Sequence, residues 1–159
     1  MRRRQDTNQR AAGRSALDEV SFLYRVLYDR YVELLKRHFR KHDLDDLLRP
    51  GFGYVLFALF EDEVLRPSEI CRRTGIKAST LTAIVDRMVE MGLVDRRPDD
   101  DDRRAIQLRL LPKARQTREA NYRVLDETTE TICRGIPQRD LQIAKRVMRQ
   151  MIENMTTGQ

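Results

Sequence analysis

The stretch RPSEICRRTGIKASTLTAIVDRMVEMGLV at residues 66–94, followed by DRRPDDDDRRAIQLRL at residues 95–110, decides the fold. Pro67-Ser68-Glu69 opens a short helix and Gly75 stops it, because proline suits a first helical turn and glycine a left-handed end. A second helix runs from about Ala78 to Met91 and halts at Gly92. Ile70, Ile76, Leu81, Ile84, Val85, Met88 and Val89 close a compact helical core. This leaves Ser79, Thr80, Thr82, Ala83 and Arg87 on the outward side of the later helix. Two extended pieces follow, Leu93 to Arg97 and Ala105 to Leu110. In the second, Ile106, Leu108 and Leu110 alternate with Gln107 and Arg109 around a polar hairpin tip.

Small hydroxyl side chains at a helix N-terminus let the helix approach a groove closely and bond base edges or phosphates. Read alone they also serve as helix caps. The helix-turn-helix frame and the hairpin favour the groove. An arginine on a hairpin tip can enter a minor groove, where narrow A·T tracts concentrate negative potential. The four carboxylates Asp99 to Asp102 oppose that entry, so either Arg96, Arg97, Arg103 and Arg104 neutralise them or the wing contributes little affinity.

Outward from this block the chain is helical. Pro50 is expected in the first turn of a short helix, Phe52 to Phe60, that is apolar almost all round and so central. Before it, Leu17, Val20, Tyr24, Leu27, Tyr31, Leu34 and His38 step by threes and fours as a seam. After the hairpin, Pro112 begins a long polar helix to about Arg134. A last helix carries Leu141, Ala144, Met148, Met151 and Met155 at heptad-like spacing. The two seams exceed what a small central unit covers, so they are expected to bury against each other and a second copy, with Leu17, Val20, Leu27, Leu34, Leu141, Met148 and Met151 at the interface. The organisation reads as a flexible basic arm (1–14), an N-terminal dimerisation helix (15–48), a winged DNA-binding lobe (49–111) and C-terminal dimerisation helices (112–155). The fold class is mainly α with a small β-hairpin wing.

The 159 residues carry a net charge of +6, with 35% charged and 40% hydrophobic residues, enough for one domain with wetted helices. Residues 66–118 hold 13 Lys/Arg against 8 Asp/Glu, and residues 1–14 hold 5 Arg against 1 Asp, so the positive field sits on the central block and a tail. An anionic partner follows. The longest apolar run, Tyr54 to Phe60, falls well short of the ~18 residues that cross a bilayer, and residues 2–13 hold no signal-peptide core, so a cytoplasmic location without membrane contact is expected. Cys71 and Cys133 form no C-x-x-C pair, which leaves neither a zinc ribbon nor a disulfide framework. No phosphate loop, nucleophile elbow or H-E-x-x-H occurs, so catalysis is not expected.

Residues 92–110 resemble the wing of the MarR family of winged helix-turn-helix repressors, with Asp102-x-Arg104 and Leu110 on that family's D-x-R-x5-L signature. The resemblance extends over residues 15–155 in helix order and is specific over 67–110. Leu111 and Ala114 depart from the usual Thr and Gly, and Ala83 stands where many members carry Arg. The resemblance implies a ligand-responsive repressor binding a pseudo-palindromic operator on double-stranded DNA as a homodimer, with no cofactor and a small, often aromatic, acid as effector. It places Ser79, Thr80, Thr82, Ala83 and Arg87 in the major groove. Arg103 and Arg104 fall on the wing, with Asp102 holding the Arg104 guanidinium.

Other residues carry competing readings. Tyr24, Tyr28 and Tyr31 either line an effector pocket or pack as core. His38 and His42, spaced i, i+4 beside Asp43, Asp45 and Asp46, are a weak metal candidate, and exposed histidines are common on such helices. Cys71 reads as a packed small hydrophobe or a redox switch, and Cys133 as an interface thiol. A metal- or thiol-responsive sensor on the same frame and a winged-helix protein-interaction module are the alternatives.

Overall fold

The structure, a computed structural model, describes residues 2–99, 102 and 104–156, with side chains from residue 18 onward. Helix α1 spans Arg2–Lys41, a 3-10 turn spans Asp45–Leu47, and α2 spans Phe52–Glu61. Strand β1 (Val64–Leu65), α3 (Pro67–Thr74), α4 (Ala78–Glu90), β2 (Val94–Pro98) and β3 (Ile106–Leu110) complete the lobe. Helices α5 (Pro112–Arg115), α6 (Arg118–Cys133) and α7 (Gln138–Thr156) close the chain. The architecture is the expected winged helix-turn-helix with long flanking helices.

The core forms around α2 because its apolar residues leave almost no polar face: Phe52, Val55, Leu56, Leu59 and Phe60 are all buried. Ile70 of α3, Leu81, Ile84, Val85 and Met88 of α4, Leu93 just before β2, and Val94, Leu108 and Leu110 of the sheet pack into the same cluster. Gly75 ends α3 at φ +72°, with its N–H donating to Cys71 O at 2.8 Å, as its left-handed preference requires. Within the expected core, Ile76, in the turn between the two helices, is half-buried, and Val89 is exposed, so the later helix turns a narrower face inward than its apolar count indicates.

Several expectations are corrected. Pro50 precedes α2 rather than entering its first turn; Gly51 is the N-cap, at φ +85°. The sheet has three strands in the order β1-β3-β2, because Val64 and Leu65 pair with Arg109 and Leu108 across β3. On β3 the alternation fails at its start: Ile106 is 51% exposed and Gln107 is buried, its amide Nε2 donating to Pro98 O at 3.3 Å. The helix after Pro112 is broken at Gln116–Thr117. There Thr117 N–H and Oγ1 both donate to Ala114 O, at 3.1 and 2.7 Å, tightening the turn. The backbone of residues 2–14, expected as a flexible arm, continues α1, consistent with the helix propensity of its Arg, Gln and Ala residues.

The seams divide. Val20, Leu27, Met148 and Met151 are exposed and Leu141 is half-buried, whereas the side chain of Leu17 lies outside the described ones. Leu34 is corrected: it is only 7% exposed within a single copy and so offers little to an interface. Helix α7 buries no residue at all, though Ile143, Val147, Met148, Met151, Ile152 and Met155 lie along it. Among the described residues, no helix is long and apolar enough to cross a membrane.

Candidate nucleic-acid interface

Helix α4 is positioned by its own apolar face. Leu81, Ile84, Val85 and Met88 are buried at helical spacing, which forces Ser79, Thr80, Thr82, Ala83 and Arg87 into solvent. Thr82 Oγ1 donates its one proton to Ala78 O at 3.0 Å, so the hydroxyl presents lone pairs and a methyl outward. The side chains of Ser79 and Thr80 make no hydrogen bond, and that of Arg87 no ion pair, with any other described residue. This surface can donate and accept, and it carries one uncompensated cation.

The wing answers the puzzle of its carboxylates in an unexpected way. Arg96 pairs with Asp86 of α4 at 2.6 Å and Arg97 with Asp95 at 2.7 Å, so neither neutralises the tip. The Arg97 bond holds the Asp95 carboxyl below its ordinary range. Asp99 is instead buried and gripped by Arg66, whose Nε and Nη2 donate to Oδ2 at 2.6 Å and Oδ1 at 2.8 Å. Asp102 is also redirected. Its Oδ1 accepts the Arg104 backbone N–H at 3.0 Å and does not hold the guanidinium as expected, because the short turn brings the peptide group to it first. Arg104 is exposed, and Arg103 lies outside the described residues. The pairing of Arg66 with Asp99 is not legible in the sequence: the two lie 33 positions apart and follow no spacing rule that would reveal it.

On the flank of α3, Glu69 accepts from Arg72 and Arg73, which holds its carboxyl down at about 2. Arg73 also reaches Asp62 at 2.7 Å, tying α3 to the end of α2.

The histidines latch helices. Thr128 Oγ1 donates to Val124 O at 2.6 Å, so its contact with His38 Nδ1 at 2.8 Å requires the imidazole nitrogen to be the donor. His42 Nε2 and Lys41 Nζ meet the two oxygens of Glu127 at 3.1 and 2.9 Å, and Lys41, then His42, lower that carboxyl. These bonds fasten α1 to α6. Among the described residues, no group of three His, Cys, Asp or Glu side chains could hold a metal ion. Cys71 packs against the core and Cys133 is half-buried, both as free thiols.

Tyr24 and Tyr28 are largely exposed on α1, whereas Tyr31 is partly covered, and burial, then the neighbouring Tyr54 phenol, push its hydroxyl above the ordinary tyrosine pKa, so that it ionises less readily. Phe57 contacts Tyr122 edge-on at 5.4 Å between ring centroids. Tyr31 of α1 thus neighbours Tyr54 of α2, and Phe57 of α2 neighbours Tyr122 of α6, where the lobe meets the long helices. A cleft of about 400 Å³ lies next to it, between Pro50, Phe52 and Tyr54 and the Thr80, Ala83 and Arg87 side of α4. Neither this cleft nor a groove of about 640 Å³ between α3, α4 and the sheet is lined by Tyr24, Tyr28 or Tyr31.

Comparison with known proteins agrees with this geometry. A sequence model of the MarR family matches residues 54–105. The HTH-type transcriptional repressor IacR of Pseudomonas putida is 32% identical over 131 residues, 82% of this chain and 76% of that protein. The structure of Bordetella bronchiseptica BpsR, described with regulation of its DNA binding by 6-hydroxynicotinic acid, superposes with a TM-score of 0.67 at 20% identity, covering 83% of this chain and 91% of that one. Reduced AbfR bound to DNA superposes with a TM-score of 0.68 at 16% identity, covering 93% of this chain and 99% of that one. At these identities the structural likeness is one of fold.

Proposed function

The chain belongs to the MarR family of winged-helix transcriptional regulators, and on that premise we propose that it is a ligand-responsive repressor that binds a pseudo-palindromic operator as a homodimer. The observation that carries the reading is the outward face of α4, where unbonded Ser79 and Thr80 and unpaired Arg87 stand beside Thr82 and Ala83 on a helix fixed by its buried face. In this reading α4 enters the major groove and Arg104 reaches the adjacent minor groove. Arg103, adjacent to it in sequence, supplies a second cation. The presence of Ala83, without a side chain able to fork onto guanine, shifts the readout to the hydroxyls and to methyl contacts with thymine.

The exposed apolar positions of α7 and of α1 form the dimer contact. They set the separation of the two recognition helices, which must match major grooves about 34–36 Å apart. An aromatic acid entering the junction marked by Tyr31, Tyr54, Phe57 and Tyr122 would favour another separation and weaken DNA binding, a coupling typically of ~1–3 kcal/mol. The relative BpsR, whose DNA binding is regulated by 6-hydroxynicotinic acid, supports the effector class.

Selection of a binding duplex from random DNA tests this reading, followed by titration of variants against it. Arg104→Ala is expected to weaken the selected duplex by about 1–3 kcal/mol and to relax preference at flanking A·T positions. Unchanged affinity at low salt removes the wing from the interface. Thr82→Val keeps the shape and loses the hydroxyl. It is expected to change base preference while leaving affinity for random DNA within about twofold. Equal losses on both duplexes would make Thr82 a phosphate contact.

A further inference from the structure

We propose that Arg66 and Asp99 are the positioning residues of the wing: their fork aims Arg104 and thereby sets how strongly the protein discriminates the bases flanking its site. The proposal rests on the reading of the wing as a DNA contact. Arg66 is anchored at the start of α3, where its carbonyl accepts the Glu69 and Ile70 N–H groups at 3.0 and 3.2 Å. Its guanidinium holds both oxygens of Asp99, a carboxylate only 7% exposed. From there the bonds run on to the tip. Asp99 Oδ1 also accepts the Asp102 N–H at 3.2 Å, and Asp102 Oδ1 accepts the Arg104 N–H at 3.0 Å. Asp99 N–H to Ala105 O at 3.0 Å and Ala105 N–H to Asp102 O at 2.8 Å close the turn. A hydrogen-bonded line thus leads from α3 to the backbone of Arg104.

Other contacts brace the wing less firmly. The Arg96–Asp86 pair is solvent-exposed on both sides, the kind of ion pair that contributes little in water. Beneath the sheet lies the 640 Å³ groove lined by Cys71, Leu81, Val85 and Leu108, and Ile106 at its edge is half in solvent, so apolar packing does not clamp the tip. A forked arginine–carboxylate pair with a buried acceptor fixes direction as well as distance. It also neutralises one of the negative charges at a tip that must approach phosphate, which lessens the repulsion.

The test is a double-mutant cycle on the selected duplex and on the same duplex with its A·T flanks changed to G·C. Asp99→Asn and Arg66→Gln are each expected to reduce the preference for A·T flanks by about fivefold or more, with affinity for random DNA within about twofold of the parent. Each combined with Arg104→Ala is expected to show the preference of Arg104→Ala alone, because a positioning group has nothing left to position. Losses that multiply in the double variants overturn the proposal, as does full preference retained by either single variant while Arg104→Ala loses it. If Arg104→Ala itself keeps full preference, the wing reading fails and the fork has no function in recognition. Arg66 is half-exposed, so Arg66→Gln decides the matter if Asp99→Asn melts below the assay temperature.

Discussion

Met148→Asp is expected to abolish self-association and operator binding together. In a single copy α7 buries nothing, yet Val147, Met148, Met151, Ile152 and Met155 lie along it with no covering element. Fully burying one such side chain contributes roughly 1.5–3 kcal/mol, and a twofold interface counts each position twice. Replacing a buried methionine by a carboxylate loses that gain and adds the desolvation of an unpaired charge. Together these cost about 4 kcal/mol or more, on the order of a thousandfold in the dimer dissociation constant. Sedimentation at micromolar concentration should then show single copies, and the selected duplex should be bound only with the weak affinity of one half-site. Met148→Leu should leave both measurements unchanged. A Met148→Asp protein that still sediments as a dimer would place the interface elsewhere on the chain.

What the sequence discloses and what it conceals divide by range of interaction. The boundaries of α3 and α4 were legible because proline and glycine act locally, and the outward set on α4 because helical periodicity is itself a local rule. Strand β1 was not: two residues, Val64 and Leu65, carry no periodic signal, and they become a strand only because β3 offers an open edge. The Arg66–Asp99 fork was hidden for the same reason, since nothing local distinguishes Asp99 from the three carboxylates after it. The histidines show a different limit. Their i, i+4 spacing supports a weak metal candidate or two exposed surface residues and points to neither of their partners: His38 and His42 meet Thr128 and Glu127 on a helix some 85–90 positions away. Leu34 belonged to the seam by spacing but is buried by its own chain, in which α1 packs against α6.

Gly51→Ala is expected to destabilise the protein by about 3 kcal/mol and to disturb the recognition helix as it does so. Two costs meet at this position. The backbone holds φ +85°, where an L side chain loses roughly 1–2 kcal/mol against its own carbonyl. A Cβ would also collide with Ile84 Cδ1 and come within 2.9 Å of Ile84 Cγ1, an overpacking that typically costs ~1–3 kcal/mol. For a chain of this size the sum lowers the thermal midpoint by roughly 6–12 °C. Gly53, two residues later inside α2, has nothing within 4 Å of its Cβ position. Gly53→Ala should therefore raise stability by about 0.5–1 kcal/mol, since alanine gives up less backbone freedom in a helix. Ile84→Ala separates the two costs. In its background Gly51→Ala should retain the backbone penalty and lose most of the steric one. If the cost of Gly51→Ala is the same with and without Ile84, the contact between the start of α2 and α4 contributes nothing. The functional consequence follows from which side chain is struck: Ile84 sits in the turn between Thr80 and Arg87, so pressure from Gly51 is pressure on the helix proposed to read DNA. A variant destabilised through this contact should lose discrimination between the selected and random duplexes even below its melting range. A purely backbone cost would leave that ratio intact.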